Sequence, residues 1–98
     1  MSDYWEKELK EAVWNNRPDL IKVCIEKGVD VNWVAPGSMG RTQLFVGIIH
    51  NKLDAVKCLL ELGADPNLSD DFGKTPIQFS KLPEQQELLN LLKSYGEE

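Results

Sequence analysis

Apolar side chains recur three and four residues apart in short bursts along this chain, with polar or glycine-bearing breaks between them. That spacing lines one face of an α-helix. The first burst predicts a helix over Trp5 to Trp14 and the next a helix over Asp19 to Glu26, joined through Asn15-Asn16-Arg17-Pro18. Leu44, Ile48 and Ile49 follow Thr42, a residue suited to cap a helix, and after Asn51-Lys52 the pattern resumes with Val56, Leu59 and Leu60. Thr75-Pro76 opens a further helix, because proline's missing N–H costs nothing in a first turn, and Pro83 closes it early. Leu88, Leu89, Leu91 and Leu92 mark a last helix before Ser94-Tyr95-Gly96-Glu97-Glu98 frays into solvent.

These helices come in pairs because the sequence repeats. Glu26-Lys27-Gly28-Val29-Asp30-Val31-Asn32 returns as Glu61-Leu62-Gly63-Ala64-Asp65-Pro66-Asn67, displaced by 35 residues. Gly40-Arg41-Thr42-Gln43-Leu44 returns as Gly73-Lys74-Thr75-Pro76-Ile77, displaced by 33. The difference of two is an insertion in the first connecting loop, where Trp33 to Met39 stands against Leu68 to Phe72. Gly28 and Gly63 sit where a left-handed residue ends a second helix. Asn32 and Asn67 share one turn position, where an asparagine side chain ties down neighbouring backbone.

With Thr75-Pro76-Ile77-Gln78 and Thr42-Gln43-Leu44-Phe45 at one place in the period, and Gly63-Ala64-Asp65-Pro66-Asn67 and Gly28-Val29-Asp30-Val31-Asn32 at another, the chain resembles the ankyrin repeat. That unit is a turn and two helices of about 33 residues with a T-P-L-H-x-A signature. The likeness runs from about Leu9 to Leu92, although Phe45 and Gln78 replace the signature histidine and Gly47 and Ser80 its first alanine. It implies an all-α solenoid of about three helix-turn-helix units with hairpin-like connecting loops, one domain over 1–98 with units near 5–33, 34–68 and 69–96. Ile21, Val56 and Leu89 then share a register and should form one core column. Charged residues around Lys7 to Glu11 and from Lys93 to Glu98 suit the outer faces of terminal units, the expectation for a complete small protein.

Composition narrows the function. Ninety-eight residues with 42% hydrophobic and 28% charged side chains make a globular domain, and 16 acids against 11 bases give a formal charge of -5. That is the wrong sign for gripping phosphates or an anionic bilayer surface, so neither nucleic acid nor membrane is expected as partner. The run Leu44 to Ile49 is far short of a span. Met1-Ser2-Asp3-Tyr4 does not begin a basic-then-apolar leader, and the expected location is cytoplasmic.

Chemistry is sparse. His50 is the sole histidine, and Cys24 and Cys58 lie within apolar helix faces, where a free cysteine packs as a small hydrophobe. Zinc-type ligand pairs are absent from the sequence. Asp70-Asp71 near Asp65 reads as a solvated turn, since the alternating oxygen ligands and distal glutamate of a calcium loop are missing. Gly37, Gly40 and Gly73 read as turn glycines, without the Gly-Lys-Ser/Thr run of a phosphate loop. The expectation is a non-enzyme with no cofactor and no metal.

The surface carries the remaining information. In proteins of the resembled family, partners usually lie against the loop tips and the exposed side of each first helix. Carried over by position, the tips are Trp33, Ser38, Met39 and Arg41, then Leu68, Asp71, Phe72 and Lys74; the helix positions are Trp14, Asn15, Ile49, His50, Lys81 and Leu82. The partner-binding set expected is Trp14, Trp33, Met39, Arg41, Ile49, His50, Asp71, Phe72, Lys74 and Leu82. Met39 and Phe72 share a repeat position and should be neighbours; methionine and aromatics at turns, where small polar residues are usual, have the composition of an interface. The alternative is that Trp33 and the two-residue insertion fold back to cover a thin core. Two functions are open: a non-catalytic module, monomeric or self-pairing when alone, that binds a protein partner of unknown identity through tips and first-helix face, or an acidic inhibitor or immunity-type protein that blocks a basic enzyme cleft.

Overall fold

The computed structural model describes residues 2–79 and 86–95. Helices α1 (Ser2–Trp14), α2 (Pro18–Glu26), α3 (Gln43–Ile49), α4 (Leu53–Glu61) and α5 (Gln86–Ser94) follow in order, with a 3-10 turn (Pro76–Phe79) before the last. Within units α1 packs on α2 and α3 on α4; between units α1 packs on α3, α2 on α4 and α4 on α5, while the 3-10 turn lies against α3. This is an all-helical solenoid of three helix-pair units. Among the described residues, the isolated β pairing is an antiparallel bridge, Val34 to Thr42, which closes the first connecting loop. Pro83, assigned above to a helix stop, lies outside the described residues.

Local chemistry explains the boundaries. Thr42 caps α3, its hydroxyl accepting the Phe45 amide at 3.2 Å. At the 3-10 turn the Gln78 side chain reaches back to accept the Thr75 amide at 2.9 Å, half of a capping box, so the residue at the signature histidine position pins a helix start. Between the paired helices the chain turns through a left-handed asparagine, Asn16 (φ 55) and Asn51 (φ 56). The amide after each bonds back five residues, Arg17 to Ala12 and Lys52 to Gly47, both at 2.8 Å. The second helices end alike, with Val29 bonding to Cys24 and Ala64 to Leu59 across left-handed Gly28 and Gly63.

One core runs through all units. Leu9, Ile21, Leu44, Ile48, Val56, Leu59 and Leu92 are fully buried, and each side chain of that size contributes about 1.5–3 kcal/mol on leaving water. Ile21 and Val56 share this core, with Leu88 and Leu92 entering it from α5; the side chain of Leu89 lies outside the described residues. Gly47 lets α3 and α4 close up within their unit, because a Cβ there would stand 3.0 Å from Val56 Cγ2, while Val13 Cγ1 of the preceding unit lies at an ordinary contact distance of 3.6 Å. Trp33 is half-buried and packs against the core, so of the two expectations for it the structural one is at least partly met.

Side chains also stitch unit to unit. Lys52, at the N-cap of α4, supplies no side-chain cap, and Asn16 does so from the preceding unit, its Oδ1 accepting the Ala55 amide at 2.8 Å. Likewise Asn32 Oδ1 accepts the Asp65 amide at 2.9 Å, so this side chain ties one unit to the next rather than its own turn, which Asp30 holds by accepting the Asn32 amide on Oδ1 at 2.9 Å. Asn16→Gly keeps the left-handed turn and removes the cap, and should cost about 1 kcal/mol in urea unfolding. Asn51→Gly, whose side chain has no hydrogen-bond partner among the described residues, should leave the midpoint unchanged within error.

Candidate functional site

The loop tips are braced from within and from each other. Ser38 Oγ lies 2.8 Å from the Ala35 carbonyl and 3.1 Å from that of Arg41, and the Arg41 amide donates to Ser38 O at 3.2 Å. In the next tip Asp70 Oδ1 accepts the amides of Phe72 and Lys74, each at 2.9 Å, while its own amide donates to Lys74 O at 2.8 Å. The tips meet where the Asp71 amide donates to Met39 O at 2.9 Å. Gly40, at φ 75, permits this approach, since a methyl group there would overlap the Asp71 carboxylate and amide.

Arg41 closes the join. Its Nε lies 3.2 Å from Asp70 Oδ2, with the guanidinium carbon 5.4 Å from the centre of the buried Phe45 ring. The Asp70 side chain is wholly buried, so the solvated turn expected there is instead a sequestered carboxylate with three donors. A carboxylate out of water needs such partners, and it draws them from a loop 29 residues earlier in the chain and from its own turn. Arg41 therefore spends its charge on the tip itself.

The tips present large apolar side chains outward. Phe72 is 66% exposed and Met39 49%, with Val34 and Leu68 also exposed beside them in the connecting loops. Asp71 and Lys74 are exposed on the second tip. Met39 adopts φ 61, a left-handed conformation that disfavours most side chains and is otherwise held, among described non-glycine residues, by Asn16 and Asn51.

A second group lies at the ends of the first helices. The exposed Trp14 ring meets His50 edge-on at 4.7 Å, and the Lys52 ammonium stands 5.1 Å from its centre. Ile49 beside it is half-buried. Between this cluster and the first tip runs a groove of about 400 Å³ whose walls include Lys10, Glu11, Trp14, Ser38, Gln43 and Val46. The structure thus joins Met39 to Asp71 through the backbone, and Trp14 to His50 through their rings; Leu82 and Lys81 lie outside the described residues. Gln43 and Lys52 were not singled out from sequence. The one available sign for Gln43 was its place where the repeat signature has proline.

The two cysteines sit in the core. Cys24 and Cys58 are buried and unpaired with each other. Burial first, then Glu8, pushes the Cys24 thiol up. Burial, with a smaller push from Glu61 against the opposing pull of Lys22, raises that of Cys58. Among the described residues no three His, Cys, Asp or Glu side chains converge as for a metal, and no helix is long and apolar enough to cross a membrane.

For Asp70, burial alone would raise the carboxyl, but the amides of Lys74 and Phe72 and the Arg41 guanidinium outweigh it and hold it below the ordinary value of 3.8. A carboxylate more acidic in the folded than in the unfolded chain contributes stability that is complete above the unfolded pKa and is lost as pH falls through the folded one. Carboxyl NMR should therefore find Asp70 titrating below 3.8, with tip amide signals moving at that same pH. In Asp70→Asn the acid limb of the stability profile should flatten.

Comparison with known proteins agrees with this architecture. A family model described as ankyrin repeats in three copies matches residues 9–98. A serine/threonine-protein kinase VIK of Arabidopsis thaliana is 45% identical over 56 residues, 57% of this chain and 13% of its own length. The human mitochondrial disaggregase is 41% identical over 65 residues, 66% of this chain and 9% of its own. The mouse ankyrin repeat and SOCS box protein 11 is 32% identical over 96 residues, 95% of this chain and 28% of its own. The chain thus spans less than a third of the length of each of these relatives. With repeats matched along nearly its full length and the paired helices, braced tips and inter-unit bonds in place, the chain belongs to the ankyrin-repeat family.

Proposed function

We propose that this chain is a non-catalytic module, placed in the cytoplasm, that binds a protein partner through its loop tips, with Met39 and Phe72 as anchors and Trp14, Ile49 and His50 as a second contact area on the first helices. Ankyrin repeats are generally protein–protein interaction modules, which supports the general class. The observation that carries the finer reading is Met39: a half-exposed, apolar side chain at φ 61, where glycine would cost less, its carbonyl bonded to the Asp71 amide of the tip that carries Phe72, itself 66% exposed. A fold gains little from either placement, whereas a partner's pocket gains an anchor already held by the tip hydrogen bonds and so binds with less loss of freedom. Asp71 and Lys74 offset one another in charge on the second tip, and Arg41 is engaged by Asp70, so apolar anchoring is favoured over an acidic cap on a basic cleft.

Affinity purification of the tagged protein from its native cells, with mass spectrometry and calorimetry on the purified partner, tests this. Phe72→Ala should cost about 2 kcal/mol or more of binding and leave the melting temperature of the free protein within a degree or so of wild type. Met39→Gly should relieve the backbone, melting no lower than wild type, and also weaken the complex. Unchanged affinity in both variants would remove the tips as the binding surface.

A further inference from the structure

Gln43 opens α3 and is only 3% exposed, yet its side-chain amide has no hydrogen-bond partner among the described residues. A primary amide carries two donors and an acceptor, and leaving them unmet out of water is costly. The residue forms part of the wall between α1 and the loop 35–38, in the groove that Trp14 also lines. A second groove of about 340 Å³ continues the first along α1, sharing Lys10, Ala35 and Pro36 and reaching Lys7 and Trp33. From Lys7 to Trp14 a helix rises about 10 Å, room for about three extended residues.

We propose that this groove holds an extended, uncharged stretch of a partner polypeptide, one residue of which pairs its main-chain N–H and C=O with the Gln43 side chain while an apolar side chain packs on the Trp14 indole. It rests on the reading of the chain as a protein-binding module and gives the first-helix contact area around Trp14 a defined occupant, chemically distinct from what the tips would hold. The extended form follows from the amide: a residue in an extended chain points its own N–H and C=O to the same side, matching the donor and acceptor of a primary amide, whereas a helix has already used both internally. Lack of charge follows from the walls, where Glu6 and Glu11 balance Lys7 and Lys10. Trp14 suits an apolar side chain because its ring is 54% exposed while His50 and Lys52 hold its orientation.

The probe is a displayed library of seven-residue peptides selected against the full chain, the best of them then made with blocked ends and titrated into ¹⁵N-labelled protein. The side-chain NH₂ of Gln43 and the indole N–H of Trp14 should both shift on binding. Gln43→Met should weaken the peptide on the order of tenfold, yet melt no lower than wild type because it removes an unmet amide. Replacing one backbone amide of the peptide by an ester should weaken binding to wild type and be without further effect on Gln43→Met. The proposal is overturned by a library that yields no binder, by a peptide that moves neither signal, by equal binding to Gln43→Met, or by a Gln43→Met protein that melts well below wild type. None of these bears on the tips, which the Phe72→Ala complex judges separately.

Discussion

Every feature of this protein depends on the fact that a pair of short helices cannot bury its own apolar surface. The α3–α4 unit makes this plain: Leu44, Ile48, Val56 and Leu59 are fully buried, and α1, α2, the 3-10 turn and α5 bring the cover. The helices must close tightly to do so, and Gly47 against Val56, with Val13 of the preceding unit in ordinary contact behind it, shows how tightly α3 and α4 pack. Polar bonding follows the same logic. Asn16 and Asn32 satisfy amides belonging to the next unit, so hydrogen bonding and apolar burial both favour the stack over its separate parts.

The stack in turn fixes the tips. Each connecting loop projects from a pair of helices that the core holds in place, and the Asp71–Met39 bond and the Arg41–Asp70 pair then lock one loop to its neighbour. A buried ion pair is a poor source of net stability, but breaking one partner is costly, which makes it a good device for specifying a single loop arrangement. Apolar side chains on such a support can be displayed to a partner without first being ordered.

Much of this was legible in the sequence because it is local or periodic. Helix pairs, the Thr42 cap, the glycine stops and the two-residue insertion all follow from patterns within one or two periods. Trp33 read first as an interface residue, since its type suits a hot spot, with covering a thin core as the alternative; its neighbours in space put it partly against the core. The Asp70 site was misread as a solvated turn because its partner, Arg41, comes from another loop and no local pattern announces the pairing. Gln43 was passed over for a related reason. Its unmet amide is a property of what surrounds it in space, and in the sequence it is one polar residue before an apolar run.

The most direct test of the stacked core is Val56→Asp, which places a charge without a partner at the join between units. If stacking holds the fold, the far-ultraviolet helical signal should be lost along the whole chain at ordinary temperature, α1 and α2 included. A variant that kept the native spectrum and melting temperature would contradict that dependence.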